Sequence, residues 1–229
     1  MPPIIYIPET SSTNTYLKEM ICNQEVEEGT IIATHHQLAG RGQKGSSWEA
    51  EKGKNLTFSL LLKPDFVPIM EQFIISQMVS LAIHDVLSQY TSDVAIKWPN
   101  DIYWREKKIC GILIENILGE EKIDNCIVGI GLNVNQEEFL SSAPNPISLK
   151  QITNQDYDLE TMLTFIQLKM LRCYKALSDG RGEEIVKGYK SYLYRKDGYH
   201  LYADGEQNIE ARIADIQSTG YLVLETLEG

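Results

Sequence analysis

The run Leu56-Thr57-Phe58-Ser59-Leu60-Leu61-Leu62 places the strongest constraint on the fold. Leu56, Phe58, Leu60 and Leu62 alternate with Thr57, Ser59 and Leu61, a period of two that predicts a strand with one well-buried face. Such a strand needs a sheet to sit in and a second layer to cover it. Helical spacing supplies that layer twice. It runs through Ile69, Phe73, Ile74, Met78, Leu81, Ala82, Val86 and Leu87, and again from Leu159 through Met170 to Leu177, where Asp179-Gly180 ends the helix. A shorter helix is expected near Asn14 to Ile21, with Ser11, Ser12 and Thr13 as N-cap side chains, and another over Glu183 to Leu193. Ile4 to Ile7, Thr30 to His36, Val94 to Lys97, Ile109 to Asn116 and Cys126 to Asn133 read as further strands.

Residues 39 to 54 carry four glycines and read as a loop. Glu137 to Asp158, with Pro144 and Pro146, reads as a polar surface excursion. After Arg195 the pattern changes to short strands with turns at Asp204-Gly205 and Thr219-Gly220. The expected architecture is α+β, a mixed sheet packed with helices over residues 1–191, followed by a small β-rich domain over 192–229.

Charge and cysteine usage narrow the function. The chain of 229 residues has 32 acidic and 21 basic side chains, a net charge of −11. That argues against broad nucleic-acid or membrane binding. The longest apolar stretch, Phe73 to Ile83, is about half the length of a membrane span and contains Gln77. No basic-then-apolar leader follows Met1, and Cys22, Cys110, Cys126 and Cys173 lack C-x-x-C spacing. A reducing cytoplasmic setting is expected. Two segments run against the acidic balance: Arg41, Lys44, Lys52 and Lys54, and then Lys97, Arg105, Lys107 and Lys108. They point to a small anionic ligand, although scattered charge alone would look the same.

Four segments carry candidate chemistry. In Gly40-Arg41-Gly42-Gln43-Lys44-Gly45-Ser46-Ser47-Trp48, glycines let the backbone approach a ligand, two cations add charge and Trp48 offers an apolar cover. It is not a Walker A loop, and a bare glycine-rich hairpin would share its composition. In Lys97-Trp98-Pro99-Asn100-Asp101, polar groups follow a strand end, and Asp101 could hold Mg²⁺ or orient an amine. Lys108, with Gly111 three residues on, could present its ammonium to an anion over open backbone. In Val128-Gly129-Ile130-Gly131-Leu132-Asn133, glycines interrupt an apolar strand, which weakens it unless a ligand or backbone comes close.

In this order and spacing, the four segments resemble the biotin–protein ligases, the biotin–[acetyl-CoA carboxylase] ligases. The match at Lys97 to Asp101 is letter for letter and highly specific; Gly40-Arg41-Gly42, Lys108 with Gly111, Gly129 to Asn133, Ser12-Thr13-Asn14 and Gln37 support it. The resemblance spans about residues 4 to 225. It implies a class II synthetase-like catalytic domain with an SH3-like C-terminal domain, which in relatives runs one or two strands further. It implies ATP, Mg²⁺ and biotin, with transfer to a lysine of a biotin carboxyl carrier protein. By the same resemblance Lys108, Arg41 and Asp101 are catalytic, with Asp101 the Mg²⁺ candidate. Ser12, Thr13, Asn14, Gln37, Arg41, Gly42, Gln43, Lys108 and Gly111 would bind biotin. Gly40, Arg41, Lys44, Trp48, Lys97, Asn100 and Asn133 would bind the nucleotide.

Gln43 and Ser46 stand where relatives often carry basic residues, and the chain begins at the catalytic domain, so no operator-DNA role is expected. A homodimer is left open. Two alternatives remain at this point. One is a lipoate–protein ligase or related acyltransferase, for which Cys110 would be a candidate nucleophile. The other is a non-catalytic biotin- or nucleotide-binding module.

Overall fold

The computed structural model describes residues 1–141, 143–204 and 207–228, except the side chains of Lys44, Asp204 and Gln207. Seven strands form one sheet. They are β1 (Ile4–Ile7), β2 (Ile31–Thr34), β3 (Leu56–Leu62), β4 (Val94–Lys97), β5 (Asp101–Trp104), β6 (Lys107–Leu118) and β7 (Ile123–Leu132). Their order is β1-β2-β3-β7-β6-β5-β4, with β1 parallel to β2 and the other neighbours antiparallel.

The expectation for β3 is corrected: all seven of its residues are buried, not one face only. Phe58, Leu60 and Leu62 pack into the larger core with α2 (Phe73–Leu87), α4 (Leu159–Ser178) and α5 (Gly182–Ser191). Leu61 points the other way, into a smaller core with Leu17, Val26, Ile32 and Ile127 beneath α1 (Thr13–Asn23). Alternating β3 side chains thus serve two apolar layers, and Thr57 and Ser59 belong to the α1 side. Ser12 caps α1, its side chain accepting from Thr15 N–H at 3.5 Å.

Three further expectations change. Asp101 opens β5 rather than trailing a strand, so Trp98-Pro99-Asn100 is the turn of the β4–β5 hairpin. Helix α2 starts at Phe73, because Pro68 and a separate 3₁₀ turn over Ile69–Glu71 precede it. The excursion after Glu137 is not all surface. Ile147, Ser148 and Leu149 are buried, and a capping box of Ser148 and Gln151 starts α3 (Leu149–Thr153). This return is hydrogen-bonded to β6: Lys108 N–H donates to Asn145 C=O at 2.8 Å, and Ile147 N–H donates to Lys108 C=O at 3.0 Å.

Strands β8 (His200–Asp204), β9 (Gln207–Ile216) and β10 (Leu222–Thr226) form a separate antiparallel sheet in the order β10-β9-β8. It abuts the β4–β5 turn, where Trp98 Nε1 donates to Gly220 C=O at 2.9 Å. The turn expected at Thr219-Gly220 is present, with Gly220 at φ +94°. The Asp204-Gly205 turn lies outside the described residues.

Candidate active site

The sheet register builds the site. Reading across neighbouring strands, Asp101 pairs with Gly111, Gly111 with Gly131, and Gly131 with Thr57. The next row is Leu113, Gly129 and Ser59. Directly opposed residues share a face of an antiparallel sheet, so both rows face α1. Two adjacent glycines in the first row leave the floor of this groove as bare backbone. The strand glycines are explained differently from the expectation of a nearby ligand or backbone. A Cβ at Gly129 would lie 2.3 Å from Asn14 Oδ1, and one at Gly131 would lie 2.3 Å from Trp48 Cε2. Side chains from α1 and from the glycine-rich loop occupy the space.

The groove holds a cavity of about 250 Å³. Its lining includes Ser12, Thr13, Asn14, Gln37, Arg41, Gly42, Gln43, Trp48, Asn100, Asp101, Lys108 and Gly111. A second cavity of about 530 Å³ adjoins it and shares Ser46, Ser47, Trp48, Asp101 and Lys108. Asn133 and Pro144 to Pro146 belong to this second cavity. Lys108 stands at the junction, its Nζ 2.7 Å from Asp101 Oδ1 and 5.6 Å from the centre of the Trp48 ring. Gly111 keeps that corner open: a Cβ there would lie 3.4 Å from Lys108 Nζ and 3.1 Å from Trp48 Cζ3.

The deep polar end is a hydrogen-bonded set on α1 and β3. Ser59 Oγ lies 2.7 Å from Thr13 Oγ1 and 2.6 Å from Asn14 Oδ1. Asn14 Nδ2 donates to Glu115 Oε2 at 2.6 Å, and Gln37 Oε1 accepts from Thr13 N–H at 2.9 Å. These groups are oriented by one another before any ligand arrives. Arg41 Nη2 reaches Thr15 Oγ1 at 3.2 Å and Glu115 Oε2 at 3.6 Å. Asn100 Nδ2 donates to Ile112 C=O, joining the hairpin turn to β6. Asn133 Nδ2 donates to Ile147 C=O at 3.1 Å, while its Oδ1 and the Trp48 Nε1 are buried without partners. Both orphaned groups are available to a ligand.

Two expected residues, Gly40 and Lys97, line neither cavity. Gly40 acts on the loop instead. Its carbonyl accepts from Trp48 N–H at 2.9 Å, and a Cβ there would lie 2.5 Å from Trp48 C=O. Lys97 donates to Tyr103 Oη at 2.9 Å and lines a separate crevice beside the C-terminal sheet. The Lys44 side chain lies outside the described residues. Sequence reasoning did not single out Ser59, Thr57, Glu115, Tyr103 or Glu49. For Thr57 and Ser59 a signal existed, two small polar residues inside an otherwise apolar strand.

Cys110 is fully buried, and burial, with the Asp101 charge adding to it, pushes its thiol far above the ordinary range. Such a thiol is not a nucleophile near neutral pH. Among the described residues no cluster of three or more His, Cys, Asp or Glu side chains could hold a metal.

The same architecture occurs in known proteins. The chain is 28% identical to the bifunctional ligase/repressor BirA of Bacillus subtilis, over 99% of this chain and 70% of that protein. It is 34% identical to biotin–protein ligase 2 of Arabidopsis thaliana, over 96% of this chain and 68% of that protein. The solved biotin protein ligase of Aquifex aeolicus in complex with biotin and ATP superposes with a TM-score of 0.81 at 28% identity, covering 100% of this chain and 94% of that one. The biotin/lipoate A/B protein ligase family matches residues 6–133, more than half of the sequence and nearly all of the sheet that builds the two cavities, and the chain belongs to it.

Proposed function

We propose that this chain is an ATP-dependent biotin–protein ligase that forms biotinyl-5′-AMP and passes the biotinyl group to a lysine of a biotin carboxyl carrier protein. The observation that carries the reading is the pair of adjoining cavities with Lys108 at their junction, in a fold matched end to end by a ligase solved with biotin and ATP. The first cavity suits biotin. Ser12, Thr13, Asn14, Gln37 and Ser59 offer both donors and acceptors for a ureido ring. The second cavity suits the nucleotide, with Asn133 Oδ1 and Trp48 Nε1 as free hydrogen-bonding groups.

In the first step a biotin carboxylate oxygen bonds to the α-phosphorus of ATP and the bond to pyrophosphate breaks. Two anions meet, so fixed positive charge must offset their repulsion. Lys108 supplies it at the junction once ligand oxygens replace Asp101 as its partner. Arg41 is the second cation on the first cavity, released from Glu115 to a phosphate oxygen. In the second step the acceptor amine bonds to the acyl carbon, AMP departs, and the amine loses a proton. Asp101, freed from Lys108, accepts that proton. Asp101 also fits Mg²⁺, because nucleotide-bound Mg²⁺ takes one or two protein carboxylates and completes its shell with phosphates and water. Bound there, the ion would neutralise phosphate charge. Four free thiols suit a reducing, cytoplasmic setting. We assign catalysis to residues 1–191 and treat 192–229 as an appended domain.

The buried, protonated Cys110 removes the basis for a cysteine-dependent acyltransferase. Incubation with ATP, Mg²⁺ and either biotin or lipoate, read by mass spectrometry, tests the substrate. Biotinyl-adenylate alone is expected; lipoyl-adenylate at comparable yield would overturn the assignment.

A further inference from the structure

Glu49 follows Trp48, yet its carboxylate faces away from the glycine-rich loop toward the opposite wall of the second cavity. Its Oε1 accepts from Leu140 N–H at 2.9 Å and its Oε2 from Ser141 N–H at 2.6 Å. Gln136 Nε2 lies 3.4 Å from the same Oε1. Gln136 is itself 1% exposed and fully engaged. Its Oε1 accepts from Glu51 N–H at 3.0 Å and from Asn55 Nδ2, and its Nε2 donates to Glu138 C=O at 2.7 Å. The anchor for both walls is therefore a buried, saturated amide. A free carboxylate at the mouth of a phosphate-binding cavity would repel the ligand. This one has its oxygens occupied by N–H donors, which disperse the charge away from the cavity.

Resting on the reading of the second cavity as the nucleotide side, we propose that Glu49 is a positioning residue that ties the loop 40–48 to residues 138–141, so that both walls close on the activated intermediate as one unit. Trp48 is adjacent in sequence, so tension on Glu49 is carried directly to the indole that lies over Gly131. Loss of the carboxylate leaves two backbone N–H groups without a protein acceptor and weakens the tie between the walls, with Gln136 as the remaining link.

The test compares Glu49→Ala and Glu49→Gln with the wild type by amide hydrogen exchange and by release of preformed biotinyl-adenylate. Exchange at Leu140 and Ser141 should rise at least about tenfold in Glu49→Ala, the scale expected for losing a hydrogen bond to a charged acceptor. It should also rise across residues 40–48, and adenylate should leave about tenfold faster. Glu49→Gln, which keeps one acceptor oxygen, should fall between. Unchanged exchange at 138–141 would refute the tie, and a rise confined to 138–141 would refute the coupling between walls. Unchanged adenylate residence with raised exchange on both walls would refute the functional role. If the wild type itself makes no adenylate from biotin and ATP, the ligase reading fails, and the exchange comparison alone then decides whether Glu49 ties the walls.

Discussion

Substituting Gly129 with alanine tests the packing that builds the deep polar end of the first cavity, the end proposed to hold biotin. A Cβ at this position would lie 2.3 Å from Asn14 Oδ1, 2.9 Å from Cγ and 3.0 Å from Nδ2. Ordinary contact begins near 3.4 Å, so the amide must retreat by about 1 Å. Strand β7 cannot yield, because β3 and β6 pair with it on both sides. Asn14 cannot move freely either: Ser59 holds its Oδ1 at 2.6 Å and Glu115 holds its Nδ2 at 2.6 Å. Overpacking of this kind costs roughly 1–3 kcal/mol. A broken hydrogen bond at a buried amide adds about 1–3 kcal/mol. Less chain entropy lost by alanine in a strand returns roughly 0.5–1 kcal/mol. The net cost is about 1–5 kcal/mol, which for a chain of this size lowers the melting temperature by roughly 2–20 °C. Biotin affinity should fall as well, since Asn14 is displaced from the cavity wall. Thermal unfolding and isothermal titration with biotin measure the two effects. The double variant Asn14→Ala, Gly129→Ala removes the clashing amide and should be no less stable than Asn14→Ala alone. A Gly129→Ala protein with wild-type melting and wild-type biotin affinity would refute the argument.

Two other substitutions follow from the same structure. Cys110→Ala should keep pyrophosphate release within about twofold of wild type, because a thiol held protonated by burial takes no part in the reaction; a hundredfold loss would restore the cysteine as a nucleophile. On the far side of the sheet, a hydrogen bond from His84, and then one from Lys169, hold the Asp85 carboxyl below the usual aspartate range against the opposing effect of burial. A lowered native value stabilises the fold above the unfolded value of about 3.9, and the benefit disappears as pH falls through the native value. Asp85→Asn should therefore be less stable than wild type at pH 7 and converge with it in acid; a gap that persists or widens below pH 3 would contradict this assignment.

The four motif segments were legible because each constrains local backbone and chemistry together. Arg41, Asp101, Lys108 and Gly131, one from each segment, line the same cavity, as do Ser12 to Asn14 at the start of α1. Helices α2 and α4 were legible from apolar spacing, since their apolar residues feed the larger core. What was not legible depends on partners distant in sequence. Burial of both faces of β3 required knowing that α1 covers the side opposite α2. The role of the strand glycines required the register that brings Asn14 and Trp48 over them. Residues 145–149 looked polar and Pro-rich, yet they return to hydrogen-bond beside Lys108 and Asn133. Lys97 has the expected sequence setting, but its cross-strand neighbourhood delivers its ammonium to Tyr103. Glu49 carried no local signal, because both of its acceptor contacts are to backbone about 90 residues away.

Biotin- and ATP-dependent pyrophosphate release, compared between wild type and Lys108→Ala in the presence of Mg²⁺, tests the central claim most directly. Lys108 is the cation at the junction of the two cavities, 2.7 Å from Asp101 Oδ1 and over the open backbone of Gly111. Losing one such transition-state donor costs roughly 10²–10³ in rate. The wild type should release pyrophosphate only when biotin is present. The variant should be slower by at least about a hundredfold while still binding biotin through Ser12, Thr13, Asn14 and Gln37. Equal release by the two proteins would contradict the assignment of Lys108, and absence of biotin-dependent release from the wild type would contradict the ligase itself.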